Sequence, residues 1–249
     1  MRSDIPDELY ERIQRKIVSV EGWLLERELQ FLATAASNPT CRGNIIEIGS
    51  YQGRSTIVIA EAAHLDPGTC FVTIDPFPKG TRARFDANLA RAGLTDRVVV
   101  HQMLSHEFIA AWDRPIRMLF HDGSNNQETV SEDVARLRPH FVDGAIICFH
   151  DVLNPSGERA ACFLRDVLAS DHFGPIGFCG SIGWGQYFAN ARTGEQYRAQ
   201  RLRMGRRLAR LLPFLGRRLN RLQRMHYKLL RASIPHRRVK SDTWIRAAA

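Results

Sequence analysis

The sequence has no apolar run of the about 18 residues that a membrane-spanning helix needs, and no apolar stretch near its N-terminus that would indicate a secretory signal. Its five cysteines are far apart and form no CxxC pair, which disfavours a zinc site and a disulfide framework. We therefore expect a cytoplasmic protein with reduced thiols.

Acidic residues are nearly missing from the last fifth of the chain. Residues 196–249 contain 16 Lys and Arg and one acid, Asp242, whereas residues 1–195 contain 19 basic and 25 acidic residues. The net charge of +9 therefore combines a mildly acidic body with a strongly basic tail. A basic balance usually indicates nucleic acid or an anionic surface as partner, and here that argument applies to the tail alone.

Short apolar runs alternate with helical patterns along most of the chain. Residues 7–36 have apolar residues at helical spacing, with a break at Gly22. Further segments with helical patterns lie between the apolar runs. Residues 173–189 are rich in glycine and aromatics and predict a β-hairpin. Five runs are typical of buried strands, namely 44–49, 70–75, 97–101, 117–121 and 145–150. The pattern predicts an α/β fold: a Rossmann-like, doubly wound, mostly parallel sheet with a C-terminal β-hairpin and helical extensions at both ends.

Ligands bind open parallel sheets at the carboxyl ends of the strands, so the residues after each strand are the candidate site. After the first strand, Gly49 allows a sharp turn and Gly53 allows a ligand close to the next helix. The spacing is neither GxGxxG nor GxxxxGK[ST], so NAD and ATP are disfavoured. Glu47 suits an amine-bearing ligand, directly or through water, because a carboxylate accepts hydrogen bonds from an ammonium group.

The run E-I-G-S-x-x-G-R-S at residues 47–55 resembles the first motif of class I S-adenosylmethionine-dependent methyltransferases. The later features match the family in order, and two of them resemble its small-molecule O-methyltransferase branch, which includes catechol O-methyltransferase-like and sugar- or antibiotic-tailoring enzymes. These features are Asp75, residues 96–98, residues 104–107, Asp122-Gly123-Ser124 and residues 149–152. Each motif alone is weak, but six in order, each after a predicted strand, are specific together.

The resemblance implies S-adenosylmethionine as cofactor and a hydroxyl of a small molecule as methyl acceptor, with a sugar or glycoconjugate as the first expectation. It also implies that Asp75 binds the ribose hydroxyls and that Ser105 and His106 contact adenine. The full set of implied cofactor contacts is Glu47, Gly49, Ser50, Gly53, Ser55, Asp75, Ser105, His106 and Asp122. On this basis residues 1–36 are helices that cap the substrate region, 37–192 form the methyltransferase domain, and 193–249 form a basic amphipathic helical tail.

In the same branch, residues after the fourth and fifth strands often bind one divalent cation. The resemblance places Asp122, His150 and Asp151 there, and it makes Asp122 and His150 the candidate catalytic residues. The aspartates suit Mg²⁺, whereas His150 suits Mn²⁺, Fe²⁺ or Zn²⁺ better. His150 is equally a candidate general base, because the ordinary pKa of histidine is about 6.5.

One position departs from the family pattern. Many relatives read D-G-x-H after the fourth strand, but here Asn125 stands at the histidine position, and an amide cannot accept a proton. Either His150 or His121 is the base, or a metal alone suffices, or the chemistry is impaired. Two other functions therefore stay open: a non-catalytic binding protein that keeps the cofactor fold, and an RNA methyltransferase. Against the latter, no (N/D)PP(Y/F) motif follows the fourth strand.

The basic tail has its own pattern. Its leucines from Leu208 to Leu230 form an apolar stripe about 100° wide, with arginines roughly opposite. Pro213 predicts a kink, or two helices with Pro213 in the first turn of the second. After Leu230 the periodicity ends, which predicts a flexible segment.

Three interpretations of the tail stay open. Residues 201–232 lie on an anionic membrane, so that the protein is peripheral at its inner face, or they contact nucleic acid, or their leucines pack on the body or on a second subunit. Aromatic residues are few in the tail, so base stacking is disfavoured and a nucleic-acid partner is not expected. A homo-oligomer stays open.

Overall fold

A computed structural model describes residues 5–236 and 239–246. The described strands form one seven-stranded sheet in the order β3-β2-β1-β4-β5-β7-β6. The strands are β1 (Asn44–Ile48), β2 (Phe71–Ile74), β3 (Val99–His101), β4 (Ile116–His121), β5 (Phe141–Phe149), β6 (Phe173–Cys179) and β7 (Ile182–Tyr187). The first five pair in parallel, and β7 runs antiparallel between β5 and β6. This confirms the predicted Rossmann-like sheet with a closing hairpin.

Helices cover both faces of the sheet. They are α1 (Asp7–Ile17), α2 (Glu26–Ser37), α3 (Arg54–Ala62), α4 (Thr81–Ala92), α5 (Ser105–Ile109), α6 (Gln127–Leu137), α7 (Arg159–Phe163), α8 (Ala191–Glu195), α9 (Arg198–Ala209) and α10 (Arg221–Ala232). Helices α1 to α4 contribute to one apolar cluster, and α5, α6, α7, α9 and α10 to another. In β1, Ile45 belongs to the first cluster and Ile46 to the second, because successive side chains point to opposite faces of the sheet.

The strand order reverses at β1, whose neighbours are β2 on one side and β4 on the other. Such a switch point leaves a crevice at the carboxyl ends of the two central strands. The chain enters this crevice at Gly49 after β1 and at Asp122 after β4. The sheet topology therefore brings together two loops that are more than 70 residues apart in the chain.

The tail folds back onto the body. Leu208, Leu211 and Leu219 are buried in the cluster that also contains α6 and α7, as expected if the leucines pack on the body. One alternative placed Pro213 in the first turn of the second tail helix, and the structure does not bear this out. Pro213 lies in a separate 3₁₀ turn, Leu212–Phe214, and α10 begins only after Asn220, whose side chain accepts a hydrogen bond from the Gln223 amide.

The flexible segment predicted after Leu230 is packed where the structure describes it. Ile234 is buried, and Trp244 lies against the rings of Phe31 and Trp184. Gln186 of β7 exchanges two hydrogen bonds with the backbone of Ile245. The prediction of flexibility is wrong here because periodicity detects only regular helices and strands, whereas single large side chains anchor this segment. Residues 1–4, 237–238 and 247–249 of the predicted extensions lie outside the described residues.

Candidate active site

A cavity of about 710 Å³ opens at the carboxyl ends of β1 and β4. Cavities of this order hold cofactors and small ligands in proteins. Its wall includes the segment 21–24, which precedes α2, and the loops after the first five strands. Among the predicted site residues, those in the wall are Gly49, Ser50, Ser55, Asp75, Ser105, His106, Asp122, His150 and Asp151. Glu47 and Gly53 are not among the wall residues.

Gly49 makes the first turn of the site. Its φ of +92° is in the left-handed region, and a Cβ built on it would lie 2.5 Å from backbone atoms of Asp122 and Gly123. Only glycine lets the loops after β1 and β4 approach this closely. Gly53 has a different local role, because its missing side chain makes room for the Phe85 ring of α4, 3.1 Å from a built Cβ.

Asp75 at the end of β2 holds the loop after β1. Its carboxylate accepts hydrogen bonds from the backbone amides of Ser50 (2.8 Å), Tyr51 (2.9 Å) and Phe77 (2.6 Å). Asp75 also lines the cavity, so beside its predicted role in ribose binding it has a second, structural task of holding the loop after β1. Sequence spacing does not reveal this second task.

Glu47 lies beneath that loop and is fully buried. Its Oε2 accepts hydrogen bonds from the hydroxyls of Thr56 (2.5 Å) and Thr73 (2.7 Å). Burial raises the pKa of Glu47 to about 7, against the opposing effect of the hydrogen bonds from Ser55, Thr56 and Thr73. The predicted direct contact with a ligand amine is not supported by this position, because the carboxylate is directed into the protein interior.

We expect Glu47→Gln to remove a pH dependence of stability. The folded-state pKa of about 7 lies above the ordinary value of 4.5, so the folded protein binds a proton that the unfolded chain lacks between these values. Stability is therefore fully present below about pH 4.5 and falls as pH rises through 7, by roughly 3 kcal/mol in total. Urea denaturation of both proteins across this range measures the difference. Glu132→Gln, a change at an exposed side chain, serves as control. If the free energy of unfolding of Glu47→Gln still falls with pH as in the parent protein, Glu47 does not have the raised pKa.

His150, after β5, lies between two carboxylates. Its Nδ1 is 3.1 Å from Asp122 Oδ1, and its Nε2 is 3.5 Å from Glu28 Oε2, an ion-pair distance longer than a good hydrogen bond. Burial alone lowers the pKa of His150, but the interactions with Asp122 and Glu28 outweigh it and raise the pKa to about 10. The imidazole is therefore a protonated donor at neutral pH, and its predicted role as general base is not supported.

Glu28 reaches this site from the first turns of α2. It is buried, and its carboxylate accepts hydrogen bonds from the amides of Leu25 and Ser181. Burial tends to raise the pKa of Glu28, but His150 and these amides lower it below the ordinary value. Sequence reasoning missed this residue because an acid near a helix N-terminus is ordinary.

Arg159 begins α7 and is buried beneath the same loops. It donates hydrogen bonds to the carbonyls of His121 (2.7 Å) and Gly123 (3.0 Å) and to Asn125 Oδ1 (2.9 Å). Its Nη1 is 3.5 Å from Asp122 Oδ1. Asn125, at the family's histidine position, is thus an acceptor for Arg159. A basic residue at a helix N-terminus opposes the helix dipole, and this was the only sequence signal for Arg159.

His121, the other candidate base, points away from the cavity. Its Nε2 is 3.1 Å from Asp133 Oδ2 on α6, and its ring stacks on Phe149. Burial lowers the pKa of His121. The alternation of side chains along β4 explains why His121 and Asp122 face different sides.

The predicted metal ligands do not fit a divalent cation in this arrangement. Asp122 Oδ1 already faces Nδ1 of His150 at 3.1 Å and the guanidinium of Arg159 at 3.5 Å. Asp151 has a φ of +55°, and its Oδ1 accepts a hydrogen bond from Asn154. Within residues 5–236 and 239–246, no three His, Cys, Asp or Glu side chains are grouped to hold a metal.

Comparisons with a family model and with solved structures show which proteins this chain is similar to. Residues 46–152 match the family model described as a methyltransferase domain. An O-methyltransferase from Bacillus cereus in complex with S-adenosylhomocysteine shares 20% identity, with a TM-score of 0.55 over 73% of this chain and 92% of that one. A Streptomyces achromogenes O-methyltransferase of tomaymycin synthesis, in complex with S-adenosylmethionine, shares 21% identity, with a TM-score of 0.54 over 74% and 92%. A TDP-rhamnose 3'-O-methyltransferase of calicheamicin biosynthesis shares 19%, with a TM-score of 0.52 over 72% and 93%.

The matched domain, the sheet order and the cavity at its switch point agree with one another. The chain therefore contains a methyltransferase domain at residues 46–152, built on a Rossmann-like sheet. The solved structures, at 19–21% identity, share its fold.

Proposed function

We propose that this enzyme transfers the methyl group of S-adenosylmethionine to a hydroxyl of a small molecule. The supporting observation is that a single cavity has Ser50, Asp75 and Ser105 in one part of its wall and Asp122, His150 and Asp151 in another. The first group contains residues that the sequence resemblance assigns to the cofactor. The second group offers carboxylates to a hydroxyl in the same cavity.

The bound cofactor supplies a methyl group made electrophilic by its sulfonium sulfur. In the proposed reaction the acceptor oxygen forms a bond to the methyl carbon, the carbon–sulfur bond breaks, and S-adenosylhomocysteine leaves. The hydroxyl proton passes to the carboxylate of Asp122, whose side chain is 27% exposed and lines the cavity. A positioned carboxylate suffices for this step, because the proton becomes acidic as the new bond forms.

His150 and Arg159 would hold Asp122 in place for this step. His150 donates to Asp122 Oδ1 at 3.1 Å, and Arg159 brings a permanent positive charge within 3.5 Å of it. Glu28 restrains His150 on its other side. In this proposal the two cationic side chains supply the positive charge that the sequence resemblance assigned to a divalent cation.

We therefore expect methyl transfer to survive removal of divalent cations. Activity after exhaustive dialysis against a chelator should stay within about twofold of the untreated enzyme, because Asp122 is oriented by protein groups. Addition of Mg²⁺ or Mn²⁺ should not raise it. A large loss that either metal restores would contradict a metal-free reaction and return Asp122 and Asp151 to the predicted role of ligands.

For the acceptor we propose a sugar or glycoconjugate. The mouth of the cavity carries Trp23, which is 72% exposed and lies 5.0 Å from the Tyr51 ring. An exposed aromatic face of this kind packs well against the C–H face of a sugar ring. The TDP-rhamnose enzyme with the same fold agrees with this choice.

Calorimetric titration with S-adenosylmethionine and S-adenosylhomocysteine tests the cofactor site. Mass detection of a product heavier by one methylene, after incubation with nucleotide sugars and phenols, then tests the activity. Failure to bind either cofactor at high micromolar concentration would overturn the proposal. Binding without turnover on all acceptors would favour the non-catalytic alternative, and methylated phenols alone would overturn the choice of a sugar.

A further inference from the structure

Helix α10 carries a second apolar strip that the body does not cover. Leu222, Met225 and Leu229 are 72%, 57% and 66% exposed. At about 100° per residue these three positions fall within about 60° of the helix circumference. Tyr227 and Leu230 are buried and lie on the other side of the helix. The leucine stripe predicted from the sequence is thus divided: Leu208, Leu211, Leu219 and Leu230 are buried, whereas Leu222 and Leu229 belong to the exposed strip.

Basic residues adjoin the strip. Continuing around the helix, Arg221, Lys228 and Arg224 come next, and all three are exposed. Arg217 and Arg218, just before the helix, are exposed as well. The sequence contains no acid between Glu195 and Asp242, so Asp242 is the one acidic residue of the tail. A surface with adjoining apolar and cationic bands is complementary to an anionic lipid interface.

We propose that α10 docks this enzyme on an anionic membrane surface. The helix would lie in the plane of the interface, with Leu222, Met225 and Leu229 at the boundary of the acyl chains and the basic residues at the lipid phosphates. A bilayer-spanning arrangement is not involved, since none of the helices in the described chain has the length and hydropathy to cross one. A second copy of the chain suits this face poorly, because pairing two such helices brings like charges together.

Contacts with the body and a capping hydrogen bond hold α10 in place. Tyr227 and Leu230 fix the helix through its buried side, and the Gln223 amide bonds to the cap residue Asn220. Arg207 of α9 donates to the carbonyl of Ser233, which ties the end of α10 to the preceding helix. The helix is therefore preformed on the body, so binding does not require a disordered segment to fold.

Vesicle flotation of the full chain tests the proposal. We expect the chain to float with vesicles of phosphatidylcholine and phosphatidylserine. Its binding to vesicles of phosphatidylcholine alone should be weaker by about tenfold or more. The combined variant Leu222→Ser, Met225→Ser and Leu229→Ser should lose binding by about tenfold or more, as should a combined Arg221→Gln, Arg224→Gln and Lys228→Gln variant. Leu202→Ser, which changes a half-exposed leucine on α9, is the matched control and should bind normally.

All the altered side chains are exposed, so each variant should stay folded. Circular dichroism and cofactor titration of each variant verify this. No flotation with anionic vesicles, or unchanged flotation of the apolar variant, would overturn the proposal. So would a concentration-dependent dimer that the apolar variant abolishes, or binding to an RNA oligonucleotide without binding to vesicles. Because the readout is lipid binding, the result does not depend on the proposed methyl transfer.

Discussion

Replacing Asp122 with asparagine should lower the rate of methyl transfer by about 10²- to 10⁴-fold, the range found for removal of a general base. The amide has nearly the shape of the carboxylate but cannot accept the proton of the acceptor hydroxyl. It also faces His150 and Arg159, whose charges would then lack their partner. The measurement is kcat at saturating cofactor and acceptor, together with cofactor affinity by calorimetry. The proposed role requires the loss to appear in kcat.

The matched control is Asp86→Asn on α4. Asp86 is an exposed carboxylate that pairs with Arg82 one helical turn away, and the change should leave kcat unaltered. If Asp122→Asn retains kcat within about threefold of the parent enzyme, Asp122 is not the proton acceptor. A comparable loss in Asp151→Asn alone would move the role to that residue, which lines the same cavity.

Replacing Arg159 with methionine should lower the free energy of unfolding by about 3 to 5 kcal/mol, the cost of breaking a buried charged network. Methionine fills much of the same volume but leaves the carbonyls of His121 and Gly123 and the amide of Asn125 without their donor. Asp122 also loses a neighbouring cation. Urea denaturation with a fitted midpoint and slope measures the change.

Arg136→Met on α6 is the control for this experiment. Arg136 is exposed and pairs with Glu132 one turn away, and such surface pairs contribute about 0.5 kcal/mol or less. Arg159→Lys keeps the charge, but its compact ammonium cannot reach all the acceptors that the planar guanidinium of Arg159 spans, so an intermediate loss is expected. A loss below about 1 kcal/mol in Arg159→Met would show that the arginine is not needed to hold the loops. If Arg159→Met fails to fold while Arg159→Lys folds, the expected direction is still supported.

Much of the fold follows from local pattern. The runs at residues 44–49 and 117–121 form the strands β1 and β4 almost at the predicted positions, because β-branched and apolar runs bounded by glycine or polar residues are local signals. Gly49 marks the turn after β1 for a similar reason, since its backbone conformation is one that few other residues adopt. Parallel-sheet geometry then places the strand ends together without further information.

The partners of the site were less accessible to sequence reasoning. Glu28 and Arg159 come from helices, where acidic and basic residues are common, and their contacts with His150 and Asp122 link distant parts of the chain. Trp244 shows the same limit outside the site, because it packs on Phe31 from a segment without periodicity. Such contacts are set by the approach of elements in three dimensions.

The sequence alone therefore determined the class of fold, the order of the strands along the chain and the loops that line the cavity. Local backbone preference and apolar periodicity are properties of short segments, so they can be read there. Only the tertiary structure decided that the pKa of His150 is raised, that Glu47 is buried beneath the loop after β1, and that Leu222, Met225 and Leu229 face solvent. Protonation and exposure depend on the charges and atoms that surround a side chain, and these come from distant segments that folding brings together.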